Sequence, residues 1–305
     1  MFQNILMVGS YVFILFVLIG VGFFCNKFKL LKASGISDMT DFVLYIVTPC
    51  VLINSFERDF DKNLLMGLLI TVLAAILSFA ANILIAHLLV HDRDKIKEKT
   101  LIFGSVFSNC GYMSLPLQSA ILGQEGVFYG ATYIAIFQIM LWTYGVIEMG
   151  RDIKKISLKK ILINPGVIGT LVGMVIFLFS IKLPFVVSEP IGFLAALNTP
   201  VPMVIVGYHL ANANLKIKGL STYVSMVLRL IISPLLMLFG LYLCRVTGVV
   251  LVACVIAAAA PCAAVTSMFS DKFGGDVKTS AALVSLTTLL SIITMPIVVG
   301  IATML

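Results

Sequence analysis

The sequence predicts an all-α integral membrane protein of ten transmembrane helices, built as two inverted five-helix repeats. Three observations lead there. Of 305 residues, 60% are hydrophobic and only 11% charged, with a mean hydropathy of +1.11, whereas an ordinary soluble domain is roughly 25% charged. Apolar stretches of about 20 residues, the length that crosses a hydrocarbon core of about 30 Å, recur along the whole chain. Basic residues alternate between successive connections, abundant in one set and scarce in the other.

The first stretch, Ile5 to Phe24, is too long for a signal-peptide core of about 7 to 15 residues, and it has no basic residue before it and no small-residue cleavage site after it. It reads as a retained span. The others run Asp38 to Phe56, Leu64 to Val90, Leu101 to Leu122, Val127 to Glu148, Ile161 to Ile181, Ile191 to Ala211, Tyr223 to Cys244, Val249 to Ser270 and Val277 to Met304.

The connections after the odd-numbered spans carry Lys27, Lys29 and Lys32; Arg93, Lys95, Lys97 and Lys99; Arg151, Lys154, Lys155, Lys159 and Lys160; Lys216 and Lys218; and Lys272 and Lys278. The alternate connections hold Arg58, Lys62, Lys182 and Arg245. Short cytoplasmic loops are enriched in Lys and Arg, so the first set is expected in the cytoplasm, with both termini outside a plasma (inner) membrane. A net charge of +7 spread over loops in this way is a topology signal rather than a nucleic-acid patch.

The longest basic connection, Arg151 to Lys160, separates residues 1–150 from 151–305, with five spans in each part. An odd number of spans per half gives the halves opposite orientation. That plan recurs in secondary transporters, which place the substrate near the midplane between the repeats.

In each half the fourth span reads poorly as a helix. The first contains Ser108-Asn109-Cys110-Gly111-Tyr112-Met113-Ser114-Leu115-Pro116, and the second Ala259-Ala260-Pro261-Cys262-Ala263-Ala264-Val265-Thr266. Proline removes a backbone N–H and clashes with the preceding turn, so breaks at Pro116 and Pro261 are expected. Two half-helices beginning at mid-membrane would aim their positive N-terminal ends inward and hold an anion without a buried cation. The candidate binding residues are Asn109, Cys110, Gly111, Tyr112, Ser114 and Pro116, with Pro261, Cys262, Ala263 and Thr266 opposite. Glu125 and Asp276, in the turns that follow, suit helix caps.

Together these stretches, with Asn164-Pro165-Gly166-Val167-Ile168-Gly169, Phe273-Gly274-Gly275-Asp276 and Thr294-Met295-Pro296, give the chain its likeness over nearly its whole length. It resembles the auxin efflux carrier family, and in particular the short bacterial, malate permease-like members. The resemblance implies fourth and ninth spans that cross at their prolines, and a scaffold of spans 1, 2, 6 and 7, often dimeric. It further implies a moving transport domain of spans 3–5 and 8–10, and elevator-type transport of small carboxylates such as malate or malonate.

Other polar positions stand beside these. Arg229 is the one basic residue well inside a span, and an intramembrane charge is by default a functional candidate. Thr48 and Asn54 of the second span and Asn198 of the seventh occupy corresponding places and suit a static wall of the site. Gly169 and Gly173 carry the spacing of close helix packing. His87 and His209 sit near span ends, where titration near neutral pH suits proton coupling; coupling to H+ or Na+ stays open. Six scattered cysteines form no Cys-x-x-Cys pair, so neither a disulfide framework nor a metal site is expected. No catalytic motif appears, which leaves an anion channel, a sodium-coupled carrier of another carboxylate or a non-transporting sensor as the alternatives to a carrier. The partners expected are a small carboxylate, membrane lipid and a second copy of the chain.

Overall fold

A computed structural model describes residues 2–150, 165–212 and 219–305. The connection Arg151 to Lys160, the start of the sixth span including Asn164, and Lys216 and Lys218 lie outside the described residues. The helices are α1 (Phe2–Lys27), α2 (Ala33–Phe56), α3 (Lys62–Leu89), α4 (Lys95–Val106), α5 (Cys110–Met149), α6 (Pro165–Leu178), α7 (Phe185–Ala211), α8 (Leu220–Leu243), α9 (Gly248–Ala259), α10 (Val265–Phe273) and α11 (Val277–Ala302).

Among the described residues, 7 helices are long and apolar enough to cross a membrane: α1, α2, α3, α5, α7, α8 and α11. The three other sequence spans differ for stated reasons. The fourth is divided between α4 and the start of α5, and the ninth between α9 and α10. The sixth begins outside the described residues. Between the fourth and fifth spans the expected turn contracts to a single residue, Gly123, whose φ of 65° and ψ of −154° break α5 into two helical arms.

The connections gather at two ends. At one, Lys97 Nζ lies 2.5 Å from Asp92 Oδ2 and 3.4 Å from Ser221 Oγ, and the Asp276 N–H donates to Thr100 Oγ1 at 3.0 Å. This end carries the basic connections after α3 and α10. At the other, the Leu183 N–H and the Ser188 hydroxyl donate to Glu57 at 3.1 and 2.8 Å, the Phe60 N–H donates to Ser180 Oγ at 2.9 Å, and Lys182 pairs with Asp59 at 3.4 Å. The basic connections after α3 and α10 thus share one end, and Lys182 lies at the other.

Three of the long helices, α2, α5 and α8, contain a widened π-helical turn: Val43–Val47, Cys110–Ser114 and Leu228–Ile232 each end two residues before a proline, Pro49, Pro116 and Pro234. A proline has no N–H for the turn before it, and the wider turn makes room for its ring. The fourth such turn, Leu141–Gly145, has no proline after it.

Two helix pairs pack backbone against backbone. A Cβ on Gly207 of α7 would lie 1.9 Å from the Ile19 carbonyl oxygen of α1, and one on Gly22 of α1 would lie 2.0 Å from the Val204 carbonyl oxygen of α7. Gly169 and Gly173 of α6 similarly admit Pro49 and Phe56 of α2, each 2.9 Å from the added Cβ. The spacing of these two glycines thus serves close packing, as in other membrane helix pairs. Elsewhere α5 packs on α3 and α9, and α9 on α8 and α11.

Candidate functional site

The two interrupted stretches meet at an antiparallel bridge between Ser108 and Cys262. The Asn109 N–H donates to the Pro261 carbonyl at 2.7 Å, and the Ala263 N–H to the Phe107 carbonyl at 2.9 Å. Extended backbone deep in a membrane protein must satisfy its own polar groups, and here each break supplies the partner of the other. The Cys262 N–H donates to Thr287 Oγ1 of α11 at 3.1 Å.

The location of the first break corrects the sequence reading. The chain leaves α4 at Phe107 and re-enters a helix at Cys110, so Pro116 is not the point of rupture. It stands six residues into α5, just after the widened turn that accommodates its ring and its missing N–H. Pro261, by contrast, lies in the break between α9 and α10 and furnishes its carbonyl to the bridge. The two prolines are therefore not equivalent; Asn109 is the residue that faces Pro261.

Side chains from the start of α5 reach the end of α9: the Ser114 hydroxyl donates to the Ile256 carbonyl at 3.2 Å and the Gln118 amide to the Ala253 carbonyl at 2.8 Å. Thr266 is fully buried, its hydroxyl 3.2 Å from the Cys262 thiol. Cys110, Cys262 and Ala263 are buried, and Asn109 is nearly so. Gly111 and Tyr112 are partly exposed, and a Cβ on Gly111 would meet no atom within 4 Å. The start of α5 therefore looks onto open space. The first N–H groups of α5 and α10 point away from their own helices, as at every helix N-terminus.

A cavity of about 230 Å³ lies beside this point, lined by Tyr11, Ile14 and Leu15 of α1, Pro116, Leu117, Ser119 and Ala120 of α5, and Thr199 of α7. The Pro200–Ala211 part of α7 also packs on the Cys110–Ser114 turn. Of the residues singled out from the sequence, Pro116 lines the cavity. Asn198 is buried next to Thr199; Thr48, whose hydroxyl donates to the Val43 carbonyl at 2.9 Å, and Asn54 lie in α2 and do not line it. Tyr11 and Ser119 were not anticipated. Tyr11 is a lone phenol among aliphatic residues of α1, and Ser119 follows Gln118 in an otherwise apolar run; these faint signals were the only ones available.

Arg229 is completely buried and does not line the cavity. Its guanidinium donates to the Ser105 carbonyl at 3.2 Å, the Val106 carbonyl at 3.1 Å and Ser233 Oγ at 2.8 Å, and also to the Ala258 carbonyl. At the basic end, His87 Nε2 lies 3.1 Å from the Tyr144 hydroxyl and 3.2 Å from Glu148, to which Tyr144 donates at 3.1 Å. Asp276 caps α11, accepting from the Lys278 and Thr279 N–H groups at 3.1 and 3.0 Å. Glu125 lies at the start of the second arm of α5, two residues after Gly123.

Apolar helices that bury a bridged double break beside a cavity define a multi-pass membrane transporter. The model of the membrane transport protein family matches residues 7–152 and 148–299. The chain belongs to that family, the auxin efflux carriers. It is also 23% identical, over 92% of its length and 94% of the relative's, to an uncharacterized transporter of Methanocaldococcus jannaschii. Both point to transport rather than catalysis.

Proposed function

We propose that the protein is a secondary carrier of small organic anions, mono- or dicarboxylates such as malate or malonate, working by elevator-type alternating access across the plasma membrane. One observation carries this reading. The two interrupted stretches are tied by reciprocal backbone bonds, so that the N-terminal ends of α5 and α10 begin at the same depth, with open space at Gly111. Helix N-termini of this kind attract carboxylates. The neighbouring cavity, at about 230 Å³, falls below the roughly 300–1,000 Å³ of pockets for drug-sized ligands and suits a small metabolite.

The reading takes the chain as ten spans in two inverted sets of five, with the basic end in the cytoplasm and both termini outside. The glycine-mediated pairs α1–α7 and α2–α6 form its static scaffold, and α3–α5 with α8–α11 the moving part. The Thr199 and Tyr11 edge of the cavity then belongs to the scaffold and the Pro116 edge to the moving part, so a vertical displacement would carry the ligand past a fixed wall. Exposed Phe13, Val17 and Phe24 on α1 and Phe185, Val186 and Phe193 on α7 give this scaffold an apolar outer face for lipid or a second copy.

The test is counterflow of labelled malate and malonate in proteoliposomes. Saturable uptake that is accelerated by unlabelled substrate on the far side is the expected result. Linear, unsaturable flux without counterflow would establish a channel instead.

A further inference from the structure

Arg229 is a full positive charge in the interior, and among the described residues no carboxylate is paired with it. An uncompensated cation in such a place is expensive. Its surroundings supply the compensation in another form. Ser105 and Val106 are the last residues of α4, and Ala258 is the penultimate residue of α9; Arg229 donates to the carbonyls of all three. Each helix C-terminus carries roughly half a negative charge, so two converging ends offset about one cation. A guanidinium stays ionised at any physiological pH and presents its donors as a planar fork, which suits carbonyls arriving from two directions.

The Ile256 carbonyl, in the last turn of α9, accepts from the Ser114 hydroxyl, and the Ala253 carbonyl, a turn earlier, accepts from the Gln118 amide. In sodium-coupled carriers, half-helix C-terminal ends and unwound carbonyls of this sort coordinate the ion. Here side-chain donors reach the Ile256 and Ala258 carbonyls of that last turn.

We propose that Arg229 is the permanent cation of the crossover: its guanidinium neutralises the C-terminal ends of α4 and α9 where a coupled carrier would hold sodium, leaving the N-terminal ends of α5 and α10 as the uncompensated charges facing the ligand. Arg229 is thus a positioning and charge-selecting residue that acts through helix ends without touching the ligand. Its effect on ligand choice rests on the carrier reading above; its effect on the crossover does not.

The experiment has one arm for each. In the first, the purified full-length protein is melted in detergent in equal concentrations of sodium, potassium or choline chloride. The wild type should melt at the same temperature in all three. Arg229→Ala should melt about 10 °C lower, and millimolar guanidinium should raise its melting point while leaving the wild type unchanged. Arg229→Lys should fall between, and it replaces the alanine variant if that one does not fold. A sodium-specific rise in the wild type, or substitution of Arg229 without loss or rescue, would overturn the proposal.

In the second arm, binding of malonate is compared with binding of neutral malonamide. Arg229→Gln should lose affinity for the dianion by about tenfold more than for the diamide, whereas a purely structural defect would weaken both alike. Absence of malonate binding by the wild type would count against the carboxylate reading while the first arm still decides the role of Arg229.

Discussion

Where α1 meets α7, two glycines bring bare backbones into contact, and the joint contains no side-chain hydrogen bond among those described. Where α4 and α5 meet α9 and α10, the backbones also touch, but through a bridge, a guanidinium, a hydroxyl and a carboxamide. Both are close contacts inside apolar surroundings. The first is held by shape: with lipid tails as apolar as the side chains, packing at small residues is what favours helix association. The second is held by the need to satisfy broken backbone. A joint of the first kind fixes two helices as one body. The second keeps polar groups among apolar helices, each with a partner from the other break.

The contrast is sharpest in transport. Asn109→Ala, and the pair Pro116→Ala with Pro261→Ala, should reduce carboxylate uptake to background while the protein still inserts and elutes as a folded species. Pro261 should carry the larger share, because it lies in the break itself, where alanine restores an N–H and lets a helix continue, whereas Pro116 stands in a following helix. Uptake at the wild-type rate in these variants would separate the crossover from function.

The packed joint is tested by size alone. Gly207→Val places a Cβ 1.9 Å from a backbone carbonyl of α1, and backbone cannot rotate aside as a side chain does. A loss of about 3 kcal/mol is expected, at the upper end of ordinary overpacking. The melting point should fall by about 6–12 °C. Gly20→Ala on α1, where nothing lies within 4 Å, is the control and should melt as the wild type does. If both variants behave alike, the α1–α7 contact is not what holds the pair.

These two regions were not equally legible in the sequence. Gly22 and Gly207 of the α1–α7 joint were not singled out, whereas Gly169 and Gly173 announced the like joint of α6 with α2 by their spacing, and Pro261 announced its break. The first break was misplaced because Pro116 carries the same local signal, although a widened turn absorbs that proline within a continuous helix; the rupture at Phe107 to Asn109 depends on the bridge to a segment about 150 residues away, which no local pattern encodes. Arg229 stood out as an intramembrane charge, but its acceptors are main-chain carbonyls, and those are identical at every position of a sequence. Tyr11 reaches the cavity only through the packing of α1 on the remainder of the fold.

A third kind of joint completes the comparison and gives the smallest effect. At the basic end, Asp92 accepts from Lys97 at 2.5 Å and from the Ser221 hydroxyl, tying the α3–α4 connection to the start of α8. The hydrogen bond from Lys97 chiefly, and then that from Ser221, lowers the Asp92 pKa to about 2. A carboxyl whose folded pKa lies below its unfolded value of about 3.9 stabilises the fold above that value and loses the contribution as pH falls through the folded pKa. Asp92→Asn should therefore cost about 1 kcal/mol or less at pH 7, as for other solvent-facing ion pairs. The difference from the wild type should stay level down to about pH 4 and close towards pH 2. The defect of Gly207→Val involves no proton and should hold constant over the same range. Unfolding of the two variants in detergent, followed between pH 7 and the acid limit of the wild type, distinguishes the joint made by charge from the joint made by shape, and a pH-independent Asp92→Asn defect would remove the ion pair from the account.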